Sequence, residues 1–372
     1  MNTQGTIQWI DSAALLAEMV AGLALSPQIA FDTEYDSFKR SYGFKLLLLQ
    51  FTDGKNTYVV DPMCGMDMTP LWRFLEQPEI EKVVYAGSED IALLKAMGCK
   101  VCNLFDVQIA ATLNNHAARN LGGLIEAETG EALDKSEQQS DWSIRPLKAS
   151  QLNYAANDVV HLLSIADTLR ARVQERGLTA ILEVENKALE DIEPRTHTPK
   201  LKPSHTRQYA DAFCAALLQL LVWRDGVARD MDLPPVHVVD VLPLEHALQN
   251  PEAFLEAAEF PGFHYKVKKN LTLRSEVEQI IRNFDPNDQT RYRERKPHRP
   301  FFSKEEVEAL NTKVCAPFKQ KTIDLYGELT TDYLLRGLKK LVTTMDPDLS
   351  ELKPYQLELY NCMKEGREWP LS

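Results

Sequence analysis

Phe31-Asp32-Thr33-Glu34-Tyr35 follows Gln28-Ile29-Ala30 and precedes a second apolar run, Leu46 to Phe51. Two carboxylates thus stand two residues apart inside a strand-like stretch. Side chains alternate faces along a strand, so Asp32 and Glu34 project from the same side. Two acids on one face of a buried strand repel each other and lose solvation. A hard divalent cation held by oxygen ligands would relieve both costs. The alternative is a pair of solvated acids on the polar face of an edge strand, and the pair alone leaves both readings open.

Working outward, Ile7 to Ile10 reads as a short strand, followed by an amphipathic helix capped by Asp11 or Ser12 and running to about Ala24. Leu46 to Phe51 has the near-continuous apolar character of a strand covered on both faces. Asp53-Gly54 is a hairpin turn signal, and Thr57 to Val60 is the returning strand. Glu81 to Tyr85 is the next strand, and Ser88 is placed to cap a helix from Glu89 to about Met97. Three successive strands, then strands alternating with helices, predict an α/β domain with a mixed sheet. Asp90 falls in the first helical turn beyond a strand end, where active-site groups of open α/β sheets gather. An acid there also complements a helix dipole without further role.

Farther along, Asp106 to Asn115 and Leu121 to Glu128 read as helices, Glu131 to Ser140 as a loop, and Ser150 to Gly177 as one long helix ending on a C-cap glycine. Within it Tyr154 and Asp158 are four residues apart, one above the other on one helical face, beside the stripe of Leu152, Ala155, Val159 and Leu162. Cys99-Lys100-Val101-Cys102 has no second ligand pair for zinc and no thioredoxin-like context, so it reads as buried strand cysteines. Pro194 to Arg207 reads as a linker, Tyr209 to Arg229 as a strong helix, and short helices continue to about Asn283. Phe284 to Pro300 is polar and turn-rich. Ser303-Lys304-Glu305-Glu306 is a capping box, with helices expected over Thr331 to Met345 and Pro354 to Gly366.

The 372 residues, 44% hydrophobic and 26% charged, are those of an ordinary globular chain of two or three domains. No apolar run is long enough to span a bilayer, the N-terminus lacks the basic start of a secretory signal, and six scattered cysteines form no disulfide framework, so a cytoplasmic setting without membrane partners is expected. The net charge of −12 is uneven: −10 lies in the first 200 residues and −2 in the rest. Bulk charge therefore does not mark a nucleic-acid binder, and local basic clusters or bound metal would have to offset the field.

Asp32 and Glu34 on a strand, Asp90 at a strand-to-helix turn, and Tyr154 with Asp158 on a late helix make a set of four carboxylates and one tyrosine. That inventory suits two divalent ions and a positioned water in phosphodiester cleavage. In this order the motifs Phe31-Asp32-Thr33-Glu34-Tyr35, Tyr85-Ala86-Gly87-Ser88-Glu89-Asp90 and Tyr154-Ala155-Ala156-Asn157-Asp158 resemble ribonuclease D and the wider DEDD superfamily of 3′–5′ exonucleases. Asn103 to Ala111 and Ser140 to Leu147 also look like ribonuclease D segments, so the likeness covers roughly residues 5–180. Tyr154, four residues before the last Asp, points to the tyrosine branch, since Asn153 stands where the other branch has His. The resemblance implies an RNase H-like exonuclease fold. It implies that Asp32, Glu34, Asp90 and Asp158 bind two Mg²⁺ or Mn²⁺, that Tyr154 orients the attacking water, and that nucleoside monophosphates are released from RNA 3′ ends, with tRNA precursors or other structured RNA as expected substrates. Tyr85 departs from the family, which usually has His there.

Trp223-Arg224-Asp225-Gly226-Val227-Ala228-Arg229 with Pro234-Pro235 is similar to an HRDC domain. The expected division is an exonuclease domain at 1–193, a linker at 194–207, an all-α HRDC-like domain at 208–285, a linker at 286–300, and a helical domain at 301–372 in the place of a second HRDC. Asp141 and Arg145 read either as strand-contact residues or as a local salt bridge holding their loop. Lys266, Lys268 and Lys269, and the cluster from Arg291 to Arg299, could track phosphates, with Tyr265 or Tyr292 stacking on bases; the alternative is a solvated loop. DNA is the competing substrate, because no residue announces a contact to a 2′-hydroxyl. A catalytically idle RNA-binding scaffold is the competing class, and the complete acid set opposes it.

Overall fold

A central six-stranded sheet, in the order β1-β4-β3-β2-β5-β6, carries Asp32 and Glu34 on one of its strands. The structure is a computed structural model and describes residues 7–118, 120–134, 136–257, 259–288 and 302–369. The strands are β1 (Ile7–Ile10), β2 (Gln28–Ser37), β3 (Phe44–Thr52), β4 (Thr57–Val60), β5 (Glu81–Val84) and β6 (Leu104–Asp106). β3 and β4 pair antiparallel, whereas β1 lies parallel to β4, and β2, β5 and β6 run parallel. The mixed sheet expected from the sequence is therefore present. Asp53 shapes the β3–β4 turn by accepting the amides of Lys55 and Asn56 at 2.8 and 2.7 Å, with Gly54 at φ +84°.

Several boundaries differ from expectation. Ser88 begins the helix Ser88–Ala96 instead of capping it; Gly87 holds the cap position. β6 is a three-residue strand that no sequence signal marked, and Cys99 and Cys102 lie in the loop before it, not on a strand. Their sulfurs sit against the carbonyls of Trp72 and Glu76, and burial pushes the Cys99 thiol up to about 12. The long helix breaks at His161 into Ala149–Val160 and Leu162–Glu175, after the β-branched pair Val159-Val160. A further helix, Thr179–Glu190, starts after Leu178 with no side-chain cap, which is why no start signal is visible. In the 194–207 stretch, Pro203 opens the helix Pro203–Gln208, because proline suits a first helical turn. The expected helix over Thr331 to Met345 is split into Glu328–Leu334 and Leu338–Val342 around Gly337, at φ +80°.

The chain folds as two units. One comprises Tyr35–Lys45 and Thr196–Pro297; the other comprises Met1–Glu34, Leu46–Arg195 and His298–Ser372. The helical unit has its own core around Asp211–Met231, formed by Leu217, Leu220, Val238, Leu244, Val267 and Val277. Its buried Asp225 accepts the Tyr42 hydroxyl and pairs with His197 Nε2, each at 2.7 Å. The described residues 302–369 fall in the same unit as Leu46–Arg195. Their described helices share one core with the helices between Val107 and Glu190, in which Cys315, Phe318, Leu334, Leu338 and Leu359 join Ala110, Leu113, Ile165, Leu169 and Ile181. The basic cluster Arg291 to Arg299, with Tyr292, lies outside the described residues.

Gly327 shows how close this return is. It has φ +81°, and a Cβ there would fall 2.2 Å from the Asn115 side chain. Gly177 has φ +69° with no neighbour within 4 Å of such a Cβ. Gly327→Ala is therefore expected to cost on the order of 2 kcal/mol or more and Gly177→Ala about 1 kcal/mol. Urea unfolding of the two variants measures both, and equal costs would contradict the tight approach at Asn115.

Candidate active site

Alternation along β2 buries Phe31 and Thr33 and turns Asp32 and Glu34 to the opposite face, where they are partly exposed. Phe31 stacks on Phe51 of β3 at 5.9 Å, which fixes the strand from behind. On the helix Ala149–Val160, Ala155, Ala156 and Val159 are buried, and Asp158 is drawn in with them to 8% exposure. Trp142 packs against the Tyr154 ring at 5.9 Å. Asp32, Tyr154 and Asp158 meet in a cleft of about 300 Å³, whose other walls include Tyr85, Asn120 and Gln138.

The electrostatics tie the acids together. Burial raises Asp32 well above the ordinary carboxylate range, and the charges of Asp90, Asp158 and Glu34 raise it further. Burial pushes Asp158 up to about 7 and Asp90 up to about 6, the latter eased by the Thr33 hydroxyl, which donates to Asp90 Oδ1. Burial and the charges of Asp158, Glu34 and Asp32 raise the Tyr154 hydroxyl, so it keeps its proton at neutral pH. The four acids and Tyr154 are thus brought to one place. Oxygen donors alone suit a hard divalent cation, and a cation among them would relieve the repulsion at Asp32. Among the described residues, no three His, Cys, Asp or Glu side chains are drawn into a closed ligand set, so the acids form a loose group.

Asp106 contributes in a way the sequence reading missed. Its buried carboxylate accepts the amides of Ala86, Gly87 and Gln108 at 3.1, 3.0 and 2.7 Å. It thereby caps its own helix and ties down the turn that leads to Asp90. The signal available was its place as an N-cap before Val107. Tyr85, the departure from the family pattern, lines the cleft, and burial raises its hydroxyl.

Arg145 is a loop clamp. Nε and Nη2 grip the Asp61 carboxylate at 2.7 and 2.8 Å, while the remaining donors reach the carbonyls of Trp142, Ile144 and Leu47 at 2.7, 3.0 and 2.9 Å. All five guanidinium N–H groups are thereby engaged within the protein. Asp141 turns the same loop by accepting the Ser143 amide at 3.0 Å and its hydroxyl at 2.5 Å. Lys266, Lys268 and Lys269 belong to the other unit, on the short helix Tyr265–Lys269.

The clamp generates a test. Arg145→Ala leaves Asp61, 5% exposed, without its cation, at a cost of roughly 3 kcal/mol or more. RNA affinity measured well below the melting point should stay at the parent value. A loss of affinity without loss of stability would restore the strand-contact reading.

Residues 7–174 match a family model described as a 3′–5′ exonuclease. The chain is 34% identical over 262 residues to ribonuclease D of Xanthomonas oryzae, covering 67% of this chain and 69% of the relative. It is 34% identical over 236 residues to ribonuclease D of a Shewanella species, covering 61% and 60%. The match thus spans about three fifths of the length of some of these relatives. Among solved structures, Escherichia coli RNase D, described as an exoribonuclease involved in structured RNA processing, superposes with a TM-score of 0.70 over 98% of this chain and 100% of that one, at 24% identity, which shows the shared fold. With its ordered acid motifs on this fold and these relatives, the chain belongs to the ribonuclease D family.

Proposed function

We propose that this protein is a metal-dependent 3′–5′ exoribonuclease that releases nucleoside monophosphates from RNA 3′ ends. The observation that carries the proposal is the meeting of Asp32, Tyr154 and Asp158 in one cleft, with Glu34 and Asp90 close enough to raise the proton affinity of Asp32. Asp32, Glu34, Asp90 and Asp158 would hold two Mg²⁺ or Mn²⁺, which when bound supply water activation and charge stabilisation at the leaving 3′ oxygen. Tyr154 keeps its proton and so serves as a donor that orients the attacking water, not as a base. The cleft of about 300 Å³ beside the acids is the proposed seat of the terminal nucleotide. Structured RNA such as tRNA precursors is the proposed substrate class, supported by the described role of the E. coli relative. The Lys266, Lys268 and Lys269 cluster of the HRDC-like unit is proposed to contact phosphates.

Cleavage of 5′-labelled RNA and DNA of one sequence, with free and blocked 3′ ends, tests this reading. With Mg²⁺ or Mn²⁺ the parent should shorten free 3′ ends of RNA in single-nucleotide steps. Asp32→Ala should lose about 10³-fold or more in rate, and Tyr154→Phe about 10²-fold. Faster cleavage of DNA would transfer the activity to that substrate. RNA binding without cleavage by the parent would favour a scaffold.

The carboxylates also predict a pH dependence. Asp158 and Asp90, at about 7 and about 6, bind protons more tightly in the folded chain than in the unfolded one. Their contribution to stability is therefore fully present below the unfolded carboxylate range, near pH 4, and is lost as pH rises through about 6 and 7. Metal-free Asp158→Asn should accordingly melt about 2–5 °C above the parent at pH 8, with the gap closing toward pH 4. Mn²⁺ should raise the parent's melting temperature at pH 8 and move the variant's less. A gap that does not change with pH would contradict the burial of an ionised Asp158.

A further inference from the structure

Glu185 sits 8% exposed on the helix Thr179–Glu190, and its carboxylate is fully occupied from the C-terminal segment. Oε2 accepts the Tyr333 hydroxyl at 2.6 Å and Lys353 Nζ at 2.7 Å, and Oε1 accepts the Tyr355 hydroxyl at 2.6 Å. A buried carboxylate that meets one cation and two hydroxyls is compensated, whereas losing a partner strands its charge. All three donors belong to residues beyond 302, and the acceptor belongs to the nuclease half of the same unit.

The same helix reaches the sheet. Asn186, also 8% exposed, accepts the Asp106 amide on its Oδ1 at 3.1 Å, and Glu190 Oε1 accepts the Leu104 amide at 3.4 Å. β6 is an edge strand, and these side chains satisfy amides that a sheet edge would otherwise leave open. Asp106 in turn holds the amides of Ala86 and Gly87. Ala86 has φ +54°, which a residue with a Cβ adopts only when its surroundings hold it there. Two residues after Ser88 the chain reaches Asp90.

From this continuous path we propose that Glu185 is a positioning residue of the nuclease site. The C-terminal helices act through it, and through Asn186 and Asp106, to set the turn that aims Asp90. This role rests on the exonuclease reading of the acids. It assigns residues 302–369 a part in the chemistry without their touching substrate. Displacing a positioned group by a fraction of an ångström lowers turnover while leaving substrate binding elsewhere intact.

Full-length Glu185→Gln and the double variant Tyr333→Phe/Tyr355→Phe test the path, with Leu16→Ala as comparator. Leu16 is buried in the first helix, Ala13–Leu23, so its truncation destabilises the unit without touching any member of the path. The first readout is hydrogen exchange of the metal-free protein, followed in peptides covering residues 82–92. Exchange at Ala86 and Gly87 should quicken in the two path variants and stay at the parent rate in Leu16→Ala. The second readout is turnover of an RNA oligonucleotide with Mn²⁺ below every melting transition. The path variants should lose about tenfold in kcat with KM within about twofold, and the comparator should keep its kcat. Parent-like exchange and kcat in both path variants would overturn the proposal, as would an equal loss in Leu16→Ala. A parent that cleaves nothing would sink the exonuclease reading instead, and the exchange measurement would still decide whether the C-terminal segment holds the turn.

Discussion

Burial raises the proton affinity of Asp32, Asp90 and Asp158, and three neighbouring carboxylates raise Asp32 further. Holding such charges together costs stability, and the rest of the unit is arranged to bear that cost at a fixed geometry. The backs of the acid-bearing elements are apolar and tightly packed. Phe31 and Phe51 stack behind β2, and Ala155 and Val159 bury the helix that brings Asp158. This packing opposes rotation of the strand and displacement of the helix. The divalent cations proposed for the cleft would relieve the repulsion among the acids.

Other buried acids of the chain are met by donors of the protein itself. Asp61 faces the Arg145 guanidinium, Glu185 faces Lys353 and two tyrosine hydroxyls, and Asp106 gathers backbone amides. Each is a structural joint, because its charge is met by donors from segments distant in sequence. Residue type alone does not separate the two groups. What separates them is whether donors meet the charge, and at Asp32 the neighbouring charges that raise its proton affinity are other acids, eased by the Thr33 backbone.

The chain's path follows from where these joints fall. The described C-terminal helices return to the nuclease core, with Thr330 donating to the Thr112 carbonyl at 2.9 Å and Leu329 to the Asn115 side chain at 2.9 Å. Composition made residues 301–372 look like an independent helical module, because amphipathic helices of a small domain and helices that complete another core share the same periodicity. Helix breaks were equally hidden. His161 divides two helices, and Gly337 divides two more, within stretches whose apolar pattern runs on without interruption.

Most strands, the β3–β4 turn and the acid motifs were legible because alternation, turn residues and carboxylate spacing are local properties, written within five or ten consecutive positions. The spacing of Asp32 with Glu34, and of Tyr154 with Asp158, already placed each pair on one face. β6, the uncapped helix Thr179–Glu190 and the joint at Asp106 left little trace, since each exists through partners far along the chain. Arg145 makes the point most directly. In sequence it could equally contact a nucleic-acid strand or hold its loop, and the tertiary structure places Asp61 and three carbonyls around it. Local pattern determines which faces are apolar and which acids stand together; only the folded chain decides which charges are met by the protein itself and which are left to be met by something it binds.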